Sequence, residues 1–154
     1  MKKLVVFFSV MSFAVFAAFL FIRATPERIV STNDLEFLQD AVPAKAMEAG
    51  KAIYTGKGNC ATCHQATGVG VPGVFPPLAK SDFLLADKKR AIAQTIYGSK
   101  TPITVNGIKY PGGIMTNVVM TDQEVVDVVN YILNSWGNKG GVVTLDEVKA
   151  ARKK

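Results

Sequence analysis

Apolar residues recur at helical spacing in several segments of the chain, and stretches rich in glycine and proline separate these segments. The first segment predicts a helix from about Ala44 to Tyr54, with Gly50 among its regularly spaced positions. A second predicts a helix near Ala86–Tyr97, which Gly98 would end. Between the two, residues 64–79 contain three glycines and three prolines, so we expect a loop there.

The last strong apolar stripe begins after a helix-start motif. Thr121 and Glu124 have the spacing of a capping box, in which each residue hydrogen-bonds the backbone of the other. We expect Gly137 to end this helix. A similar pair, Thr144 and Glu147, predicts a short helix near the C-terminus.

Residues 102–113 form another glycine-bearing stretch, and they contain a turn signal. Asn106-Gly107 lies between two short runs of apolar and β-branched residues. This dipeptide favours a two-residue turn, because both of its residues readily adopt positive φ. A small β-hairpin is therefore expected at this point in an otherwise helical chain.

The N-terminal segment has a different pattern. Lys2 and Lys3 precede the uncharged run Leu4–Ile22, which would span about 28 Å as a helix and so match a bilayer's hydrocarbon core. A cleaved signal normally has a shorter apolar core, although Val15-Phe16-Ala17 would serve as a cleavage exit. We favour an uncleaved transmembrane anchor at residues 1–23, with signal cleavage as the alternative.

Charge and proline content predict how the rest of the chain is organised. The lysines ahead of the span are expected to stay cytoplasmic, which places the remainder on the other side of the membrane. Pro26 and Pro43 discourage a continuous helix, so residues 24–43 are interpreted as a tether. A domain at residues 44–138 and an extension with a short helix at 139–154 complete the predicted organisation.

The charge balance argues against nucleic-acid binding. Of the 18 basic residues, three lie at the N-terminal span, and the remaining 15 face 12 acidic ones. The small basic clusters at residues 88–90 and 152–154 fit a solvated surface better than a basic stripe with base-stacking aromatics.

The chain's two cysteines and its single histidine lie together in Cys60-Ala-Thr-Cys63-His64. This C-x-x-C-H string is the attachment motif for a c-type haem. Two thiols on one turn can add to the two vinyl groups, and the following imidazole can bind the iron. The motif predicts one covalent haem c, held by Cys60 and Cys63, with His64 as an axial metal ligand. It also implies export, in a bacterium to the periplasm.

Other uses of the two cysteines fit the chain poorly. A redox dithiol would be expected within alternating strands and helices, which this pattern does not predict. A closed zinc site needs four ligands, and the sequence contains no second cysteine or histidine pair.

A second axial ligand has to be chosen among five methionines. Met1 and Met11 belong to the predicted anchor, and Met47 lies on the first helix with core-like spacing. Met120 precedes the capping box, where a hydrophobic residue packs on the following helix. Met115 lies in a glycine-bearing loop that allows close approach to a cofactor. We favour Met115, with Met120 or an open iron position as alternatives.

These motifs together resemble the class I cytochromes c, over about residues 46–136. The resemblance implies an all-α fold, with three to five helices around one covalently bound haem, here preceded by the predicted transmembrane helix. It implies that Gly50 and Tyr54 of the first helix cross the last helix at Tyr131. The matching strings are Gly50–Tyr54, Cys60–His64, Phe75-Pro-Pro-Leu78, the Met115 loop and Tyr131.

The same resemblance implies roles for the proline loop. The carbonyl of Pro76, in preference to that of Pro77, would accept the Nδ1 proton of His64 and leave Nε2 for iron. Leu78 would pack on the porphyrin edge. Residues 105–110 and 134–138 also resemble haem c domains associated with copper nitrite reductases.

The resemblance implies a non-enzymatic, mono-haem electron carrier. The N-terminal segment predicts that it is tethered to the bacterial inner membrane, with a soluble periplasmic protein after cleavage as the alternative. It would pass single electrons between respiratory or denitrification proteins and bind no small-molecule substrate. A subunit fixed in a membrane dehydrogenase, oxidase or reductase complex is the alternative. A peroxidase or sensor is disfavoured because no second histidine exists. Lysines considered for steering partners are Lys57, Lys80, Lys88, Lys89 and Lys109.

Overall fold

The computed structural model of the protein describes residues 42–113 and 115–153. These residues form six helices and one hairpin, more helices than the three to five expected. The elements are α1 (Ala44–Thr55), α2 (Cys60–His64), α3 (Asp82–Leu85), α4 (Lys88–Tyr97), β1 (Ile103–Val105), β2 (Ile108–Tyr110), α5 (Asp122–Asn134) and α6 (Leu145–Arg152).

The anchor predicted at residues 1–23 lies outside the described part of the chain, as does the tether up to residue 41. Within residues 42–113 and 115–153, no helix has the length and apolar character needed to cross a bilayer.

The core is built around the crossing of α1 and α5. A side chain at Gly50 would place its Cβ 2.6 Å from Tyr131 Cβ, so only glycine allows this approach of the two helices. The Tyr54 ring lies 5.4 Å from that of Tyr131 and 5.3 Å from that of Trp136. The expected meeting of Gly50 and Tyr54 with Tyr131 is confirmed.

Helix α5 begins as predicted and ends earlier than predicted. Both hydrogen bonds of the Thr121–Glu124 capping box are present. The helix ends at Asn134 rather than at Gly137, because Ser135 is extended and Trp136 adopts a left-handed φ of 55°. This turn brings the indole against the two tyrosines of the crossing.

The helix predicted near Ala86–Tyr97 is α4, which begins at Lys88, and the short helix α3 before it was not predicted. Helix α3 explains part of the higher helix count. Ser81 caps α3 by accepting the Leu84 N–H. Asp87 caps α4 by accepting the Lys89 and Arg90 N–H groups, and its extended backbone separates the two helices. Four residues are too few for the apolar spacing to reveal α3.

The hairpin and the terminal helix are both confirmed. Strands β1 and β2 pair antiparallel around Asn106 and Gly107, whose φ values of 50° and 79° suit a two-residue turn. Thr144 and Glu147 form the second capping box, at the start of α6. Helix α6 then packs against α4 and α5.

Candidate functional site

The cysteine-histidine motif forms a helix of its own. Asn59 precedes it with a left-handed φ of 50°, and α2 makes little more than one turn. Cys60 and Cys63 are free and half-buried, one turn apart on this helix. The Tyr54 hydroxyl donates to the Gln65 carbonyl at 2.6 Å, which ties the end of α2 to the helix crossing.

A cavity of about 230 Å³ lies against α2. A cavity that holds one water measures about 10–15 Å³ on the same scale, so this cavity has room for a much larger group. None of its described lining residues is Lys, Arg, Asp or Glu. The predicted site residues all line it, namely Cys60, Cys63, His64, Pro76, Leu78 and Met115.

His64 is held by the proline loop. Its Nδ1 lies 2.8 Å from the Pro76 carbonyl oxygen, so Nδ1 is the protonated nitrogen and Nε2 keeps its lone pair. Burial lowers the pKa of His64, and the contact with Pro76 only partly opposes this effect. A buried, neutral and oriented imidazole is the form that binds a metal. Pro77 lines the cavity without supplying this carbonyl.

Close backbone approach keeps Pro76 in place. A Cβ at Gly70 would lie 2.8 Å from the Pro76 carbonyl carbon, and Gly70 has a φ of 63°, so this position requires glycine. The Gly68 carbonyl accepts the N–H groups of Leu78 at 2.7 Å and Ala79 at 2.8 Å. The loop is therefore closed on itself immediately after Pro76.

Asn138 anchors the same loop, and sequence reasoning missed this role. The residue is 6% exposed. Its amide donates to the carbonyls of Leu78 at 2.9 Å and Ile132 at 2.8 Å, and its oxygen accepts the Lys80 N–H at 2.8 Å. A single side chain thus joins the proline loop to the end of α5. Nothing local in the sequence indicates contacts that span about sixty residues.

Two methionines reach the cavity. Met115 is 39% exposed, and its carbonyl accepts the Ser99 N–H at 3.0 Å. Met120 is 6% exposed and packs in the core as expected of the residue before the capping box, yet it also lines the cavity. Both candidates from the sequence therefore remain within reach of a bound group.

The sequence offers six candidates for an apolar shell around the cofactor, namely Val69, Val71, Val74, Leu78, Ile114 and Val118. Val74, Leu78 and Val118 line the cavity, whereas Val69 and Val71 do not, and Ile114 lies outside the described residues. Sequence reasoning missed other residues that line it, several of them brought there by α3, α4 and the hairpin: Phe83, Leu84, Ala91, Thr95, Val105 and Tyr110.

Two of the steering lysines are engaged in ion pairs. The Lys57 ammonium contacts Glu124 at 2.8 Å, and that of Lys88 contacts Glu147 at 2.9 Å. None of the five candidate lysines lines the described wall of the cavity. If these charges steer partner proteins, they do so from the surface around the cavity and not from its wall.

Comparison with known proteins agrees with the geometry. The family model for cytochrome c matches residues 47–136. A cytochrome c-552 of Thermus thermophilus is 37% identical over 120 residues, covering 72% of this chain and 79% of the relative.

Two further relatives are longer proteins, and this chain matches only part of each. The cytochrome c subunit of alcohol dehydrogenase (quinone) from Gluconobacter oxydans is 33% identical over 109 residues, covering 68% of this chain and 22% of the subunit. The gluconate 2-dehydrogenase cytochrome c subunit of Pantoea cypripedii is 31% identical over 131 residues, covering 76% of this chain and 28% of the subunit.

The residues fit the cofactor of the matched family. Two unpaired thiols lie one turn apart beside a large uncharged cavity, next to a neutral, oriented imidazole. Cys60 and Cys63 are the pair that holds haem c covalently. The match over most of the described residues, together with this site, shows that the chain belongs to the cytochrome c family.

Proposed function

We propose that this chain is a membrane-tethered periplasmic cytochrome c that carries single electrons between respiratory or denitrification proteins. The observation that carries the proposal is one cavity lined by Cys60, Cys63, His64 and Met115. These residues can attach a haem and offer a nitrogen and a sulfur ligand for its iron.

His64 is assigned as one axial ligand. The Pro76 carbonyl accepts the Nδ1 proton, which selects the tautomer with Nε2 free and limits rotation of the ring. An imidazole held this way needs little reorganisation when charge moves. Pro76 is therefore a positioning residue, and Leu78 supplies part of the apolar wall.

Met115 is assigned as the second axial ligand. It lies in a segment without helix, next to a single bridge with Ser99, where the backbone can adjust toward the cavity. The bound haem supplies one-electron chemistry, between ferrous and ferric iron. A thioether favours the ferrous form and so raises the reduction potential.

The wall of the cavity is also expected to raise the reduction potential. The described lining contains no carboxylate that would compensate an added positive charge. A wall of low polarity therefore disfavours the more highly charged oxidised state. If His64 and Met115 both hold the iron, no substrate needs to bind it, and the chain would transfer electrons without catalysing a reaction.

The membrane tether is proposed from sequence. The run Leu4–Ile22 behind Lys2 and Lys3 suits an inner-membrane anchor with the domain in the periplasm. Thioether attachment of haem is consistent with an exported chain. Washing membranes with alkaline carbonate should leave the protein in the pellet. Release to the supernatant, with a mature N-terminus near residue 18, would instead support a cleaved signal and a soluble periplasmic protein.

A subunit in a dehydrogenase complex is the second candidate. It is favoured by similarity to cytochrome subunits of alcohol and gluconate dehydrogenases, although the chain matches less than a third of either subunit. Mild detergent extraction of native membranes distinguishes the two functions. A tethered cytochrome that acts alone should purify without stoichiometric partners, whereas a subunit of a complex should co-purify with a dehydrogenase. Co-purification with a copper nitrite reductase would identify a denitrification partner.

The ligand assignment is tested by the ferric absorption spectrum. A methionine–iron bond gives a weak far-red band, which should be present in the full-length holoprotein and absent from Met115→Ala. Met120→Leu is the matched control, because it keeps the volume and removes the other sulfur. A band that survives in Met115→Ala and disappears in Met120→Leu would overturn the assignment.

A further inference from the structure

Helix α6 lies beyond residues 47–136, the segment that matches the cytochrome c family model. It packs against α4 and α5. The part of the Met115 loop from Met115 to Met120 leads into α5, and the Met115 carbonyl accepts the Ser99 N–H just after α4. The last turn of α6 contacts the end of α4 and Met120, and so acts on both ends of this segment.

The first contact reaches the end of α4. The Tyr97 hydroxyl donates to the Ala151 carbonyl at 3.2 Å, and Tyr97 is the last residue of α4. Two residues later, the Ser99 N–H donates to the Met115 carbonyl at 3.0 Å. The backbone of Met115 is thus bonded to a segment that α6 helps to hold.

The second contact reaches the start of α5. The Arg152 guanidinium donates through Nη2 to the Met120 carbonyl at 2.6 Å and through Nε to the Asp122 carboxylate at 2.5 Å. Planar guanidinium donors fix both position and direction, unlike a lysine ammonium. Met120 ends the loop and precedes the cap residue Thr121, so Arg152 holds the other end.

Between these two anchors the chain is supported mainly by Val118, which packs against the core. Residues 116–119 form no helix or strand, and three of them are exposed, with Val119 reaching 85%. Where a side chain lies then depends mainly on where the ends of the segment are held.

We propose that the last turn of α6 is a clasp that keeps Met115 in position to bind the iron. The clasp consists of the Tyr97–Ala151 contact and the contacts of Arg152 with Met120 and Asp122. Tyr97 and Arg152 are positioning residues, because Tyr97 acts through the neighbouring Ser99 and Arg152 through Met120, and neither lines the cavity. This inference rests on the proposed ligation by Met115.

The clasp determines the fraction of molecules in which Met115 has released the iron. A ferric iron released by methionine can bind added imidazole, so the apparent affinity for imidazole increases with the open fraction. Removing the clasp frees the loop ends and raises that fraction, while the His64 side of the cavity is unchanged.

The experiment measures imidazole binding to full-length ferric holoprotein by loss of the far-red band. Arg152→Met keeps the aliphatic stem and removes the donors, and should raise the apparent affinity about tenfold. Tyr97→Phe removes one neutral hydrogen bond and should raise it about threefold. It also provides a milder test if Arg152→Met fails to fold.

Glu147→Gln is the matched control. It removes the ion pair with Lys88 at the opposite end of α6, so it weakens the same helix and leaves the clasp intact. Its imidazole affinity should equal that of wild type even where its melting temperature is lower. An equal rise in all three variants would mean that α6 acts only through general stability, and would overturn the clasp.

The failures of the two proposals are distinguishable. A wild-type protein without the far-red band would refute ligation by Met115 and the clasp with it. A wild-type protein with the band, whose imidazole affinity is unchanged by Arg152→Met and Tyr97→Phe, would refute the clasp and leave the ligand assignment standing.

Discussion

The crossing of α1 and α5 and the loops that line the cavity are held in different ways. At the crossing, two regular helices meet through Gly50 and a cluster of three aromatic rings. At the cavity, segments without regular structure are held by the hydrogen bonds of individual side chains, such as Asn138 and His64. Burial stabilises the first region, and individual polar contacts set the geometry of the second. Stability and redox function should therefore respond to different substitutions.

The largest effect is expected at the crossing. Gly50→Leu would force a side chain into the Asp127 carbonyl and the Tyr131 side chain, since no space separates the helices there. Separating the helices should lower the free energy of unfolding by about 3 kcal/mol or more. Denaturant titration of the holoprotein measures this. Ala52→Val, on the exposed face of α1, is the control and should change stability by less than about 0.5 kcal/mol. A near-neutral Gly50→Leu would contradict the close crossing.

Asn138→Ala should have the next largest effect, and it should act on both regions. It leaves the carbonyls of Leu78 and Ile132 and the Lys80 N–H without their partner. Unfolding free energy should fall by about 2–3 kcal/mol. Because the proline loop is loosened, the NMR signal of the His64 Nδ1 proton should also exchange faster with water.

Asn117→Ala, at an exposed loop position, is the control for that substitution and should change neither property. A stability loss in Asn138→Ala with an unchanged exchange rate would show that Asn138 braces the end of α5 without positioning Pro76.

These predictions also show which features a sequence can reveal. The Cys60–His64 motif, the Thr121–Glu124 capping box and the Asn106-Gly107 turn are local patterns, so their geometry follows from neighbouring residues. Helix α3 was missed because its four residues are too few to show an apolar period, although Ser81 caps it.

Contacts between distant segments could not be predicted from local patterns. Arg152 reaches the Met120 carbonyl across 32 positions, and Asn138 reaches Leu78 across 60. Met120 was interpreted only as a core residue or a disfavoured ligand, yet it both packs in the core and lines the cavity. Such roles depend on how the helices pack, which no spacing rule describes.

Thr121→Ala should have a moderate effect confined to the helical region. It removes the acceptor for the Glu124 N–H at the start of α5. Loss of an N-cap typically costs about 1 kcal/mol. Urea unfolding should show this loss, whereas the position of the far-red band should not move. A displaced band would mean that the cap also sets the geometry of the neighbouring ligand loop.

The smallest effect concerns the pH dependence of the Lys57–Glu124 pair. The Lys57 ammonium, together with the Thr121 N–H, lowers the pKa of the partly exposed Glu124 carboxyl below its ordinary value. Because the folded-state pKa is depressed, the stabilisation is present above the ordinary glutamate pKa and is lost as pH falls through the folded-state value. Lys57→Gln should therefore flatten the stability profile in mildly acidic solution.

Carboxyl NMR titration measures the Glu124 pKa directly. Lys57→Gln should raise it toward its ordinary value, and Lys51→Gln, an exposed change on α1, should leave it unaltered. An unchanged pKa in Lys57→Gln would show that the ion pair is not maintained in solution.

The most direct test of the central claim is NMR of the reduced full-length holoprotein with carbon-13-labelled methionine methyl groups. A methyl group bound at the iron lies over the porphyrin and is shifted strongly upfield by its ring current. One such signal is predicted, present in wild type and in Met120→Leu and absent in Met115→Leu. A shifted signal that remains in Met115→Leu, or its absence from wild type, would contradict the assignment of Met115 opposite His64.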